Sequence, residues 1–223
     1  KIAVTASETD RTAVRSYDVM AANSVFRTLI VGVDRLDYSK GLEERLLGFE
    51  QLLKDRPEYL GQTMFLQIAP PTREEVDAYQ DIRARLVALC GRINGAFAEP
   101  DWTPIRYVHK SYPRDELVGF YRACKVGLVT PLRDGMNLVC KEYVAAQDPE
   151  DPGVLILSRF AGAAQQLAEA VLVNPHSPDD LAHAIRIALD MPLEERKARW
   201  QALVKSVREE NVERWTENFL ADL

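Results

Sequence analysis

A doubly wound parallel α/β sheet is the fold this sequence predicts, on three observations. Short β-branched runs alternate with longer stretches of helical period from residue 28 onward. The runs are apolar at successive positions rather than alternate ones, as strands covered on both faces require. The chain has 223 residues, 47% hydrophobic and 28% charged, enough apolar material for a sizeable core. Strand–helix alternation of this kind folds through right-handed crossovers, which put helices above and below one sheet.

Taken in order, residues 1–27 contain no full strand–helix unit and read as a lead-in, the remnant of a longer N-terminal half or a linker. "TLIVGV" (28–33) is the first buried strand. After the loop "DRLDYSKG", Leu42, Leu46, Phe49 and Leu53 fall at helical spacing, with Pro57 just beyond the end. "MFLQIA" (64–69) is the second strand. "PPT" opens the next helix, with Thr72 and Glu75 as a capping box and Val76, Tyr79, Ile82, Leu86 and Leu89 on one face. "IRYVH" (105–109), "VGLVT" (126–130), "VLILS" (154–158) and "AVLV" (170–173) repeat the strand pattern. A short helix over 179–190 turns Leu181, Ile185 and Leu189 inward, and a charged helix from about 193 to 210 closes a domain of residues 28–210. Residues 211–223 read as a tail helix that packs toward an N-terminal domain.

Composition excludes several functions. A formal net charge of −6 argues against a general nucleic-acid or anionic-membrane binder while leaving room for a local basic pocket. No apolar run approaches the ~20 residues of a membrane-spanning helix, and the first residues carry no signal-peptide pattern, so the expected location is the cytoplasm. Cys90, Cys124 and Cys140 are odd in number and widely spaced, and read as small buried hydrophobes in a reducing compartment.

In a doubly wound sheet the ligand lies outside the carboxyl ends of the strands, so the loops after strands carry the chemistry. "DRLDYSKGL" leaves the first strand and offers Arg35 and Lys40 around a turn closed by Gly41. A guanidinium fork and a mobile ammonium beside a helix N-terminus suit a diphosphate. The same residues also fit surface charges paired with Asp34, Asp37 or Glu43. "PLRDG" breaks the strand 126–130, and "MNLVCKEYVAA" starts a helix without a glycine-rich phosphate fingerprint. Gly135 lets backbone approach a ligand closely, and Met136, Asn137, Leu138 and Val139 offer unpaired N–H groups to an anion. Glu142, about two turns in, suits two adjacent sugar hydroxyls, and Asp134 at the turn suits the hydroxyls of a transferred sugar. An N-cap role for Asp134 and a local ion pair for Glu142 are the structural alternatives.

The stretches "RLDYSKGL", "QIAPPTREEVDAYQDIR", "GRINGAF", "WTPIRYV", "GLVTPLRDGMNLVCKEYVAAQ", "PGVLILSRFAGAA" and "VNPHSPDD" span roughly residues 31–223. Together they resemble the trehalose-6-phosphate synthase family, retaining glucosyltransferases of two facing Rossmann-like halves (the GT-B architecture). The resemblance implies that this chain is the C-terminal, donor-binding domain. It further implies glucose transfer from UDP-glucose to glucose 6-phosphate, giving trehalose 6-phosphate and UDP with no cofactor and no metal. Arg35 and Lys40 then match the pair that grips the donor diphosphate, and with Asp134 they form the catalytic set. Asp134 matches the acid on the donor glucose, and the backbone of Gly135 to Val139 matches the turn against that glucose and the diphosphate. Glu142 matches the acid on the ribose, and Leu117 the backbone contact to uracil. Arg73 matches an arginine that reaches the acceptor phosphate. The family's N-terminal domain, with most of the acceptor site, is absent from this sequence, so the resemblance implies a half that is inactive alone. The implied partners are UDP-glucose or UDP, glucose 6-phosphate and that N-terminal domain; a homo-oligomer is compatible, nucleic acid and membrane are not.

Other readings fit some of these residues. A related glycosyltransferase with another acceptor, such as a glucosylglycerol-phosphate synthase, would share the donor half. A non-catalytic sugar-nucleotide-binding module would share it too. A glycoside hydrolase would need an acid pair across one bond. Asp134 and Glu142 lie about 12 Å apart at ~1.5 Å per helical residue, beyond that range, and the basic loop would have no role.

Overall fold

The computed structural model describes residues 8–23, 27–72, 75, 77–210, 214, 216, 219 and 220. Six parallel strands form one sheet: β1 (Thr28–Val33), β2 (Thr63–Ile68), β3 (Ile105–Val108), β4 (Val126–Val129), β5 (Val154–Ser158) and β6 (Val171–Val173). Their spatial order is β3-β2-β1-β4-β5-β6. The chain winds outward from β1 to β3, then returns to the other side of β1 and winds outward again. Strand order therefore reverses between β1 and β4, and the loops leaving these two strands diverge and open a crevice.

Successive residues of a strand point to opposite faces, and here both faces are apolar. Ile30, Phe65, Val126, Leu128 and Ile156 face one core. That core is covered by α2 (Leu42–Asp55), α3 (Asp77–Phe97) and α6 (Pro178–Asp190). Leu29, Val31, Leu66, Val129 and Leu155 face the other, under α1 (Glu8–Asn23), α4 (Arg114–Ala123), α5 (Leu138–Ala146) and α7 (Leu193–Glu209). The strands and the helices α2, α6 and α7 stand within a residue or two of their predicted bounds, and on α3 the predicted face is buried at Tyr79, Ile82 and Leu86, while Val76 lies outside the described residues. The described part of α3 opens at Asp77, with Glu75 in a turn before it, so the Thr72–Glu75 box does not sit on the described helix start.

The lead-in contains a helix that sequence patterning does not reveal. α1 presents Met20 to the core and lies on α4, where the Ser16 hydroxyl donates to the Glu116 carbonyl at 2.9 Å. Gly119 makes this approach feasible, because a Cβ there would run into Ser16 Oγ and the Ala13 carbonyl. The expected tail helix over 211–223 falls largely outside the described residues.

Burial bears out the reading of the three cysteines as small core residues: all are free and buried. Burial pushes Cys90 up to about 11 and Cys140 up to about 12, and raises Cys124 further, so none is a thiolate nucleophile near neutral pH. Among the described residues, no helix is long and apolar enough to cross a membrane.

Candidate functional site

The crevice between β1 and β4 is walled by the two loops singled out from the sequence. After β1, residues Tyr38–Lys40 form a 3-10 turn, with Asp37 accepting from the Ser39 N–H and Gly41 in the left-handed region at φ 64°. A Cβ on Gly41 would also strike the Thr130 carbonyl, so glycine is required twice over: for the turn and for the fit against the second loop. The two loops are joined by backbone, since the Leu132 N–H donates to the Ser39 carbonyl at 2.8 Å. They are joined by charge as well: Lys40 Nζ lies 2.6 Å from Asp134 Oδ2, with both side chains largely buried.

Asp134 is the centre of the second loop. It accepts from Lys40, from Asn137 Nδ2 at 3.1 Å and from the Met136 N–H. Burial alone would raise its carboxyl, but these three donors outweigh burial and hold it below the ordinary carboxylate value, so it stays ionised. Asn137, not Asp134, is the N-cap of α5: its side chain accepts from the Cys140 N–H at a backbone of φ 78°. The Leu138 and Val139 N–H groups have no partner among the described residues and stand at the positive end of α5. Met136 departs from the expectation, because its N–H is already given to Asp134. Gly135 is exposed, and a Cβ there would meet nothing within 4 Å, so its open side faces space a ligand can fill.

The segment after β5 supports this turn. The Asp134 N–H donates to the Phe160 carbonyl, and the Gly162 and Ala163 N–H groups donate to the carbonyls of Asp134 and Met136 at 3.0 and 2.9 Å. Gly162 must lack a side chain, since its Cβ would collide with the Gly135 carbonyl.

Beneath the crevice lies a device that reading the loops alone misses. Arg45 of α2 is fully buried, and its guanidinium reaches the carboxyl ends of three strands. Nε donates to Thr130 Oγ1 at 3.0 Å, Nη1 to Gln67 Oε1 at 3.1 Å, and Nη2 to Asp34 Oδ2 at 2.8 Å and the Lys40 carbonyl at 3.3 Å. Gly32 leaves the room, as a Cβ would stand 2.5 Å from Arg45 Nη1. One planar fork thus ties β1, β2, β4 and the Lys40 turn into a single unit. The sequence does carry a signal: Arg45 has apolar Leu42 and Phe49 at i−3 and i+4, and Gln67 interrupts a buried strand.

The remaining predicted residues are distributed around this centre. Arg35 is exposed just past β1, with no carboxylate at ion-pair distance among the described residues; its charge helps hold Asp37 low against the opposing effect of burial. Glu142 lies in the second turn of α5, where Arg114 at the start of α4 reaches it at 3.4 Å. That pair spans two helices rather than one, unlike the local alternative. Leu117, also on α4, is half-buried against the core below α5. Arg73 lies outside the described residues.

A parallel sheet of order 3-2-1-4-5-6, with a charged crevice at its reversal point and a helix N-terminus facing it, defines a Rossmann-like domain. A profile of glycosyltransferase family 20 matches residues 8–223, and the chain belongs to that family. It is 54% identical over 195 residues to the trehalose-6-phosphate synthase of Sodalis glossinidius (strain morsitans), covering 87% of this chain and 42% of that protein. Among solved structures it is similar to an alpha,alpha-trehalose-phosphate synthase (UDP-forming) from Burkholderia xenovorans in complex with glucose-6-phosphate. That match has 55% identity and a TM-score of 0.90 over 96% of this chain and 48% of the other. A trehalose-6-phosphate structure from E. coli bound with UDP-2-fluoro glucose matches at 44% identity and a TM-score of 0.89, covering 96% and 49%. The chain spans somewhat under half the length of the curated relatives it matches.

Proposed function

We propose that this chain is the donor-binding half of a cytoplasmic, UDP-forming trehalose-6-phosphate synthase, and that it binds UDP-glucose but does not transfer glucose alone. The observation that carries the reading is the Lys40–Asp134 pair, which brings a cation and an acid from two loops together at the sheet's reversal point. Support comes from relatives named for this activity and from solved relatives holding glucose-6-phosphate or UDP-2-fluoro glucose.

In the reaction proposed, the bond between the anomeric carbon and the β-phosphate oxygen breaks and its electron pair stays on UDP. The acceptor hydroxyl of glucose 6-phosphate bonds to the same face of that carbon and gives its proton to the departing phosphate oxygen, so the configuration is retained. Negative charge grows on the departing diphosphate, so groups that bind UDP more strongly than UDP-glucose lower the barrier. Lys40, held by Asp134 until the donor arrives, turns to the diphosphate together with Arg35 and the free N–H groups of α5, and no metal takes part. Asp134 is then free to accept from the donor glucose, and Glu142, released by Arg114, accepts from the ribose. Arg73 meets the acceptor phosphate, and an N-terminal partner domain supplies the rest of the acceptor site.

Calorimetry of the chain with UDP, GDP and ADP tests this reading. UDP is expected to bind, and Arg35→Ala and Lys40→Ala are each expected to weaken it roughly ten- to a hundredfold, the worth of one charge-assisted hydrogen bond of about 1.5–3 kcal/mol. Unchanged UDP affinity in both variants overturns the assignment, and robust trehalose 6-phosphate synthesis by this chain alone overturns its standing as a half.

A further inference from the structure

At the opposite, amino edge of the sheet, a cavity of about 370 Å³ opens between α1, the end of α4, the end of α5 and the first turn of α7. Its lining includes three cations, Arg122, Lys125 and Arg196, and one acid, Asp151. The acid is engaged already, for Arg196 Nη1 bonds Asp151 Oδ1 at 2.6 Å while the Asp151 carboxylate stays largely in solvent. Arg122 and Lys125 have no carboxylate at ion-pair distance among the described residues. Each instead caps a helix end: Arg122 Nε donates to the Ala146 carbonyl at 3.0 Å, and Lys125 Nζ to the Leu189 carbonyl at 2.6 Å. Arg196 Nη1 also donates to the Pro152 carbonyl at 2.6 Å, while its Nε is buried without a hydrogen-bond partner among the described residues.

We propose that this cavity is a binding site for a phosphate monoester. Two guanidinium forks and an ammonium around one hollow, with a single acid between them, leave an excess of two positive charges, which a dianionic phosphate neutralises. The hollow is much larger than a phosphate alone, and Tyr17 and Ala21 of α1 give it a wall against which the ester's body lies. Such an excess in a chain of net charge −6 is a local construction rather than a general basicity. Burial and the neighbouring Arg196 charge hold the Lys125 ammonium below its ordinary value, with Asp151 and Asp190 opposing them, so an arriving anion relieves a strained cation.

The site is tested by titrating the isotope-labelled chain with inorganic phosphate and with glycerol 3-phosphate while following backbone amide shifts. Saturable shifts are expected at Cys124, Lys125 and Gly153, and Arg122→Gln is expected to weaken them at least fivefold while leaving UDP affinity unchanged. Tighter binding of the ester than of inorganic phosphate supports the monoester as occupant, and equal or weaker binding of the ester overturns it. Shifts confined to Gly135–Leu138, or amino-edge shifts that do not saturate, overturn the proposal without touching the donor reading. Should Arg122→Gln fold poorly, the wild-type shift map alone decides.

Discussion

The two edges of this one sheet handle charge in opposite ways. At the carboxyl edge each buried charge already has its partner: Arg45 with Asp34, Lys40 with Asp134, and Glu142 with Arg114 at the rim. At the amino edge Arg122 and Lys125 line a hollow and have no carboxylate at ion-pair distance among the described residues. On the donor-binding proposal the first arrangement is a set of contacts to be exchanged, in which a donor would replace internal partners with its own diphosphate and hydroxyls. The second is an unfilled one. A paired crevice stays ordered while empty and loses part of a ligand's binding energy to the exchange. A hollow whose cations are held mainly by carbonyls gives up less charge pairing to an anion, but the fold carries more of their repulsion until one comes.

Removing Arg45 is the strongest way to break the paired side. Arg45→Met leaves Asp34 buried and uncompensated, and a broken buried pair costs about 3–5 kcal/mol. Urea unfolding should register that loss, and UDP affinity should fall with it, because the Lys40 turn and Thr130 lose their common anchor. Arg45→Lys keeps the charge without the fork and should fall between the two. A wild-type urea midpoint in Arg45→Met would mean that the network beneath the crevice holds nothing together.

A second, smaller test uses a complete charge cluster far from both edges. Glu50 of α2 is buried, with its two oxygens on Arg92 Nη1 and Nη2 at 2.6 and 2.7 Å and Lys54 at 3.0 Å. The Arg92 hydrogen bonds, with help from Lys54 and against burial, lower its carboxyl from 4.5 to about 2. A depressed acid stabilises the fold above its unfolded value and ceases to do so as pH falls through the folded one. Glu50→Gln should therefore cost about 1–2 kcal/mol near neutrality, discounted for the half-exposed cations. The gap to wild type should stay flat down to about pH 5, narrow between 4.5 and 2, and close below that. A gap that persists unchanged at pH 2 would show that the carboxylate's charge is not what the cluster uses.

Which parts of this molecule are legible in its sequence follows from how local their causes are. The strands are, because a run such as Leu29–Val33 must be buried on both faces, and so are the cradle loops, because Arg35, Lys40 and Asp134 follow strand ends. α1 is not: its contact with α4 rests on Ser16 and Gly119, small residues that leave no apolar stripe. Nor is the Lys40–Asp134 pair, whose members are 94 residues apart and meet only once β4 has returned beside β1. Asp134 as acceptor rather than helix cap goes with the positive φ of Asn137, in a turn that the segment after β5 holds through the Asp134 and Met136 carbonyls. The amino-edge hollow is assembled from four helices and leaves no continuous motif at all.

The smallest expected effect separates ligand chemistry from stability at the rim. Arg114 is exposed on 80% of its side chain and lies 3.4 Å from Glu142, so the pair contributes about 0–1 kcal/mol. Arg114→Ala should leave the urea midpoint nearly unmoved and UDP affinity equal or slightly higher, since Glu142 no longer has a partner to give up. If Glu142 holds the ribose, removing a sugar hydroxyl should matter: 2′-deoxy-UDP should bind roughly tenfold more weakly than UDP, the low end for a hydrogen bond to a charged group. In Glu142→Gln that preference should shrink toward none, while in Arg114→Ala it should persist. An equal preference in all three proteins would remove Glu142 from the ribose and leave the Arg114 pair as a surface contact only.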